Sequence, residues 1–306
     1  MKRHYVAGVR IAGVACAVPK RVVKCEGRSA KVVGVEERRF AESDRSLIDL
    51  GAAAAKRLMT DLGWQPDTVG ALVFVTQTNW RRMPSISCEL HAQLGLPNNV
   101  PAFDLNMACS GYVYGLWVAA SLRLPRVVLV VGDTISRFLD PDDASTYPIF
   151  GDAVSATGLE LTGQLGGIEF IGGTDGNGAE SLYCTDKLHM DGLQVFNFAL
   201  SIVPTMINNV TMSSHVDFHF FHQANKFLLD AITTKARIAQ DKVPTNMSRY
   251  GNTSSSSIPL LFCDSDATEH LRSRKCRVAL YGFGGGLSWG GILTEIDRLS
   301  CSLVEM

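Results

Sequence analysis

The stretch Phe103-Asp104-Leu105-Asn106-Met107-Ala108-Cys109-Ser110-Gly111 places a cysteine between an apolar, strand-like run and a helical run. From Gly111 to Leu122 the chain is apolar on nearly every side, which predicts a helix buried inside a large protein. Cys109 then lies in the first turn, where free backbone N–H groups and the helix dipole favour a thiolate. Cys109 is therefore a candidate nucleophile, with a small buried structural cysteine as the alternative.

The composition is that of a globular protein with a sizeable core, since 46% of the 306 residues are hydrophobic and 19% are charged. A formal net charge of −1 provides no overall field to attract nucleic acid or an anionic membrane surface. Eight cysteines lie scattered without C-x-x-C spacing, which favours reduced thiols in the cytoplasm over disulfides or a metal site. No run approaches the ~20 apolar residues of a membrane span. We expect a cytoplasmic protein without a metal.

Strand-like and helical segments alternate along the first half of the chain. Helices are predicted near Ser46–Leu62 and Ser85–Leu94, and strands near Ala71–Thr76, Pro101–Leu105 and Arg126–Gly132. This alternation is typical of α/β proteins, in which helices cover both faces of a buried sheet.

The second half repeats this order, which predicts a diverged internal duplication. Strands are expected at Gly167–Gly172, Phe218–Phe221 and Lys275–Gly282, and a long helix at Val195–Val210. We divide the chain into an N-terminal half, 1–160, with the nucleophile, and a C-terminal half, 161–306. In this alignment Asn252 is the counterpart of Cys109.

Two further polar residues lie at element junctions. His222 ends a buried strand, at the sheet edge where α/β proteins gather their ligands, although a structural histidine is an equal alternative. Asn252 follows Gly251 before a serine-rich helix start, where an N-cap role would also account for it. Tyr281–Gly291 contains six glycines, so we expect a loop whose backbone amides suit an oxyanion hole. Its spacing matches no phosphate-binding motif.

Together these motifs resemble the β-ketoacyl-acyl-carrier-protein synthase III group of the thiolase superfamily. The likeness is specific at four places and weaker at two, Gly34–Arg39 and Phe150-Gly151-Asp152-Ala153. The four are Ala108-Cys109-Ser110-Gly111, His222-Gln-Ala-Asn225, Tyr250-Gly-Asn-Thr-Ser254 and Gly282-Phe-Gly-Gly-Gly-Leu-Ser-Trp-Gly290. The resemblance implies a thiolase fold, a five-layered αβαβα sandwich of two duplicated halves, and a homodimer.

The resemblance also implies the chemistry. An acyl thioester acylates Cys109, and the N–H groups of Cys109 and Gly285 hold the oxyanion. A malonyl thioester on acyl carrier protein then loses CO2, and His222 and Asn252 stabilise the enolate that attacks the acyl group, giving a 3-oxoacyl product. Phe150 lines the acyl pocket, and Met83 closes the pocket of the partner subunit. No cofactor is implied beyond the thioesters of coenzyme A or carrier protein, which are substrates.

The sequence departs from that group in three places. The residues that hold the adenine of coenzyme A are replaced, including a tryptophan absent from 20–33, so the acyl donor is either acyl-coenzyme A or an acyl carrier protein. Phe227 stands where the group usually has a basic residue that meets the carrier protein. Four neighbouring basic residues are still expected to dock it, namely Lys226, Lys235, Arg237 and Arg249, although a solvated basic surface is the alternative. Arg81 and Arg82 are candidates for binding a substrate carboxylate, with a solvated loop as the alternative.

Two alternative functions use the same residues. A non-condensing acyltransferase would pass the acyl group from Cys109 to an alcohol or amine. A partner subunit of a heteromeric condensing complex would retain the fold without its own turnover.

Overall fold

The computed structural model describes residues 1–25, 32–43, 46–163, 166–212 and 214–306. Part of the 20–33 segment, in which the adenine-binding tryptophan is absent, lies outside the described residues.

Two mixed β-sheets form the framework. The first has the order β15-β2-β8-β7-β5-β6, and the second β1-β9-β14-β13-β12; β3 with β4 and β10 with β11 form two small hairpins. The strands are β1 (Arg3–Ala7), β2 (Val9–Val18), β3 (Val22–Lys24), β4 (Glu37–Arg39), β5 (Ala71–Val75), β6 (Ala102–Leu105), β7 (Arg126–Asp133), β8 (Ala153–Leu161), β9 (Gly167–Thr174), β10 (Leu182–Cys184), β11 (Leu188–Met190), β12 (Phe218–Phe221), β13 (Lys275–Gly284), β14 (Ser288–Asp297) and β15 (Ser300–Glu305).

The helices form three layers around these sheets. They are α1 (Ser46–Leu62), α2 (Ile86–Gln93), α3 (Gly111–Ser121), α4 (Gly192–Thr211), α5 (Lys226–Ala236), α6 (Met247–Tyr250), α7 (Ser257–Cys263) and α8 (Thr268–Ser273). Helix α4, the longest described with 20 residues, lacks the sustained apolarity of a membrane span, and so do the other described helices.

Three apolar cores show how the layers stack. Helices α1 and α2 share one core with the outer face of the first sheet. The central core lies between the sheets and contains α3 and α7. Helices α4 and α5 cover the far face of the second sheet. The predicted five-layered αβαβα thiolase fold is therefore confirmed.

Strand β5 shows why the buried strands read as unbroken apolar runs. Val73 and Val75 face the central core, whereas Leu72 and Phe74 face the outer core with α1. All five residues of the strand are buried. Because helices cover both faces, neither set of alternating side chains can be polar.

Each terminal strand of the chain belongs to the sheet that is built mainly from the other half of the sequence. Strand β1 pairs with β9 in the second sheet, and β15 pairs with β2 in the first. The division into halves 1–160 and 161–306 stays a prediction about the internal repeat, and each sheet includes one strand from beyond that boundary.

The prediction that Tyr281–Gly291 forms a loop is wrong. Most of it belongs to the hairpin of β13 and β14, in which Gly284 pairs with Ser288 across a tight turn. Gly290 and Gly291 lie inside β14, where side chains of α3, β9 and α4 leave no room for a Cβ atom.

Candidate active site

Cys109 lies in a one-turn 3-10 helix, Ala108–Ser110, between β6 and α3. Ala108 has a φ of 43°, in the left-handed region that residues with a Cβ rarely adopt, so the chain turns sharply at the cysteine. A Cβ atom at Gly111 would lie 2.6 Å from Cγ1 of Val75, so the helix can start here only with glycine. Only 5% of Cys109 is exposed, at the N-terminal end of α3.

The tip of the β13–β14 hairpin lies against this turn. A Cβ atom at Gly284 would lie 2.7 Å from Cβ of Cys109, closer than side chains pack. A Cβ atom at Gly285 would lie 3.5 Å from Cβ of Ala108. The glycines thus let backbone reach the nucleophile, as an oxyanion hole requires, and the pairing of the Cys109 and Gly285 amides stays a prediction.

His222 follows β12 directly and is 2% exposed. Its backbone N–H donates to the carbonyl of Tyr281, and its ring meets that of Phe283 edge-on at 5.5 Å. Burial lowers the pKa of His222 from 6.5 to about 4, and the neighbouring carbonyl of Ser254 opposes this shift. The resting imidazole is therefore neutral at pH 7.

The hydroxyl of Ser257 determines which ring nitrogen of His222 carries the proton. Ser257 Oγ lies 2.8 Å from the carbonyl oxygen of Ser254, to which it donates its single hydrogen. It lies 2.8 Å from Nδ1 of His222 and also accepts from the N–H of Gln223 at 3.3 Å. Nδ1 must therefore be the donor to Ser257, which leaves Nε2 of the neutral ring as an acceptor.

Asn252 lies beside these residues, two positions before Ser254 in the chain. It is 4% exposed, and a parallel bridge to Phe150 fixes its backbone. Gly251 has a φ of 66°, and a Cβ atom there would lie 2.4 Å from the carbonyl of Ile149. The N–H of Ser254 donates to Oδ1 of Asn252 at 2.9 Å.

Cys109, His222 and Asn252 line one cavity of about 370 Å³. Its other walls are largely apolar and include the predicted acyl-pocket residue Phe150. The mouth has two strongly exposed apolar residues, Leu193 and Phe227, and the Phe227 ring stacks on Phe196 at 5.3 Å. The structure thus brings together the three predicted catalytic residues in an apolar channel.

The resting state of Cys109 differs from the expected thiolate. Burial raises the pKa of Cys109 to about 12, the Ser254 hydroxyl lowers it, and the charge of Asp133 raises it. A position at a helix start lowers the pKa of a cysteine, as expected from the sequence. Burial of the sulfur away from water raises the pKa of Cys109 by more than this. Cys109 is a thiol at neutral pH, so attack on a thioester requires a base.

Three of the predicted specificity residues lie outside this cavity in the single chain. Met83 is 79% exposed. Arg81 pairs with Glu89 at 2.6 Å, and its guanidinium lies 4.1 Å from the ring centre of Trp80. Arg81 and Arg82 line a separate groove of about 590 Å³.

The four basic residues expected to dock a carrier protein have neighbours of their own. Lys226 pairs with Asp230 at 2.5 Å, and Arg249 pairs with Asp264 at 2.8 Å. Lys235 donates to the carbonyl of Leu200, and Arg237 forms the left-handed cap that ends α5. Ion pairs at exposed positions are weak, so these side chains remain able to exchange partners.

Sequence reasoning missed two polar residues that contact the predicted catalytic groups, Ser254 and Ser257, and two more, Gln77 and Asp133, that reach them through Ser254. Five successive hydroxyl residues at Thr253–Ser257, all buried, are a signal that was available, because buried hydroxyls need partners. No described group of three or more His, Cys, Asp or Glu side chains is arranged to hold a metal ion.

The chain is similar to known proteins over most of its length. A family model for 3-oxoacyl-[acyl-carrier-protein] synthase III matches residues 103–176, and one for the C-terminal part of that enzyme matches 208–296. A putative 3-oxoacyl-[acyl-carrier-protein] synthase 3 of Campylobacter jejuni is 36% identical, over 90% of this chain and 87% of its own. A β-ketoacyl-[acyl-carrier-protein] synthase III of Geobacillus kaustophilus is 34% identical, over 87% of this chain and 88% of its own. The crystal structure of a 3-oxoacyl-(acyl-carrier protein) synthase of Burkholderia xenovorans superposes with a TM-score of 0.96 at 34% identity, covering 100% and 99% of the two chains.

Proposed function

Because the chain belongs to the 3-oxoacyl-[acyl-carrier-protein] synthase III family, we propose that it is a decarboxylating condensing enzyme that joins an acyl group to malonyl-carrier protein. The observation that supports this most strongly is the single apolar cavity shared by Cys109, His222 and Asn252. The proposed reaction has two stages, acylation of Cys109 and condensation.

Acylation begins with proton transfer. Nε2 of His222 is the unprotonated ring nitrogen, so it takes the proton of the Cys109 thiol as the sulfur attacks the thioester carbonyl. The amides of Cys109 and Gly285 hold the carbonyl oxygen while it is negative. The C–S bond of the donor then breaks, and its thiolate leaves and is protonated by solvent.

Condensation uses the proton that His222 now holds. The malonyl thioester loses CO2, and the enolate oxygen accepts hydrogen bonds from Nε2–H of His222 and Nδ2–H of Asn252. The enolate carbon attacks the acyl group on Cys109, the C–S bond breaks, and the cysteine thiolate takes its proton back from His222. Burial opposes the imidazolium in the acyl-enzyme, and the carboxylate of the entering malonyl group, followed by the enolate, offsets that cost.

The test is the intact mass of the wild type and of Cys109→Ser after exposure to acyl-coenzyme A and acyl-carrier-protein donors. We expect an acyl adduct on the wild type alone, and its release as a 3-oxoacyl thioester with CO2 when malonyl-carrier protein is added. Release onto an alcohol or amine without loss of malonyl thioester would support a non-condensing acyltransferase. Absence of an adduct with every donor would support the partner-subunit alternative.

We extend the proposal to the partners and the location. Exposed Trp80 and Met83 lie on the loop before α2, and β6 is the outer strand of its sheet; both support a homodimer in which Met83 closes the partner's acyl pocket. The eight free thiols support a cytoplasmic location. The carrier protein is proposed to dock near α5, which carries Lys226 and Lys235 and whose residues Phe227 and Leu228 line the cavity. Size-exclusion chromatography with light scattering tests the dimer, and a monomer at micromolar concentration would contradict it.

A further inference from the structure

A chain of buried polar groups connects Asp133 to the sulfur of Cys109. Ser254 Oγ lies 3.9 Å from Sγ of Cys109 and is fully buried. Nε2 of Gln77 donates to Ser254 Oγ at 2.9 Å and also contacts Oδ2 of Asp133 at 3.4 Å. The side chains of Asp133, Gln77 and Ser254 have no part in the mechanism described above.

Each contact fixes the direction of the next hydrogen bond. Asp133 is 1% exposed, and its Oδ1 accepts from Thr76 Oγ1 and from the backbone N–H of Gln77, both at 2.9 Å. A carboxylate only accepts, so the side-chain amide of Gln77 must turn its NH2 group toward Asp133. The second hydrogen of that NH2 group then points at Ser254 Oγ.

The donation from Gln77 determines what the Ser254 hydroxyl offers to the sulfur. Since Ser254 Oγ accepts from Gln77, its own hydrogen is available for Sγ of Cys109. A hydroxyl that donates to sulfur stabilises the thiolate over the thiol. Ser254 has a φ of 51°, and its N–H is held by Asn252, so the backbone keeps this hydroxyl in place.

We propose that Ser254 is a catalytic hydrogen-bond donor to the Cys109 thiolate and that Gln77, oriented by Asp133, is a positioning residue that makes Ser254 a donor. The thiolate appears twice in the reaction, when the thiol is deprotonated and when the product leaves. In both steps the donor lowers the energy of the charged sulfur inside a cavity that otherwise disfavours it.

The measurement is the rate of Cys109 alkylation by iodoacetamide between pH 7 and 9, followed by mass spectrometry of the Cys109 peptide. Below the pKa this rate is proportional to the thiolate fraction. Loss of the donor in Ser254→Ala should slow alkylation by roughly threefold to tenfold at every pH, because one unit of pKa is a factor of ten. Ser254→Gly provides a second variant, since glycine accepts a φ of 51°.

Gln77→Met keeps the chain length and removes the amide, so we expect a smaller slowing in the same direction. Combined with Ser254→Ala it should add nothing, because Gln77 acts only through the hydroxyl. Ser255→Ala is the matched control, since Ser255 Oγ lies in the same turn, buried and without a hydrogen-bond partner among the described residues. It should react at the wild-type rate.

Wild-type alkylation rates in both Ser254 variants, or a full additional slowing by Gln77→Met in the Ser254→Ala background, would overturn the proposal. The inference rests on the proposed function, because it takes Cys109 as the nucleophile. The two fail separately: alkylation needs no substrate, so a protein that is not acylated by any donor contradicts the function, whereas an acylated protein with no Ser254 effect contradicts only this inference.

Discussion

The backbone N–H of Ser254 donates a 2.9 Å hydrogen bond to Oδ1 of Asn252, and this contact determines which end of the Asn252 amide faces the substrate cavity. An N–H group can only donate, so the oxygen of the amide is fixed toward the backbone and Nδ2 is turned away from it. Asn252 is therefore held as a donor in a cavity that otherwise offers mostly apolar surface. A donor is the group that a developing enolate requires.

Replacement of the Asn252 amide should separate the two stages of the reaction. Asn252→Asp keeps the acceptor for Ser254 N–H but replaces the Nδ2 donor with an oxygen. We expect Cys109 acylation to remain and malonyl decarboxylation to fall about 100-fold or more, the usual cost of losing one such donor. Acylation is measured by intact mass, and decarboxylation by release of labelled CO2.

Asn225→Asp is the matched control for the added charge. Asn225 lines the same cavity, and its Oδ1 caps α5 by accepting from the N–H of Leu228, a role that aspartate performs equally well. We expect this variant to keep both stages. Equal losses of decarboxylation in the two variants would assign the effect to charge and contradict the donor role of Asn252.

Buried His222 should make the folded protein less stable in mild acid. Burial lowers its pKa from 6.5 to about 4, so between these values the unfolded chain binds a proton that the folded protein excludes. The contribution of His222 to stability is complete above pH 6.5 and is lost as the pH falls toward 4. At pH 5 the loss is roughly 2 kcal/mol by proton linkage.

Urea unfolding of the wild type and of His222→Gln at pH 7.5 and pH 5 isolates this effect. The difference in unfolding free energy between the two proteins should shift by that amount in favour of the variant at pH 5. His219, whose pKa burial also lowers to about 4, is present in both proteins and cancels. A difference that does not change with pH would mean that His222 titrates normally in the folded state.

Gly284 should tolerate no side chain. A Cβ atom there would lie 2.7 Å from Cβ of Cys109, so Gly284→Ala must move either the hairpin or the nucleophile. We expect a loss of roughly 1–3 kcal/mol of stability, as overpacking of a core costs, and little acylation of Cys109. Gly176→Ala is the control, because no atom lies within 4 Å of a Cβ there; it should retain acylation.

Helices and strands could be predicted from the sequence where a whole segment is buried on all sides. Strand β5 and helix α3 are buried in this way, so each appears in the sequence as an unbroken apolar run. Strand β8 escaped prediction because its buried Ser155 and Thr157 are satisfied by Ser256 and Tyr112, partners far away in the chain. Strand β14 was not predicted because Gly290 and Gly291 are typical of a loop, whereas here they let neighbouring side chains pack close to the strand backbone.

The candidate site shows the same division. Cys109, His222 and Asn252 could be singled out from the sequence because each lies at a junction between elements, and the structure brings them to one cavity, while their catalytic roles stay predictions. The contact of Gln77 with Ser254 joins residues 177 positions apart, and no local pattern carries that information. The protonation of Cys109 was also beyond sequence reasoning, because the depth of burial depends on the whole fold.

The two arginines before α2 should differ in their effect on substrate choice. Arg81 already has a carboxylate partner in Glu89 and stacks on Trp80, whereas the Arg82 side chain is exposed at the same groove. If this groove binds a substrate carboxylate, Arg82→Ala should lower the ratio of acylation rates for an acidic acyl donor over a neutral one, and Arg81→Ala should change it less. Competition between succinyl and butyryl donors, followed by intact mass, measures the ratio. Identical ratios in the wild type and both variants would leave these arginines as solvated residues of the loop.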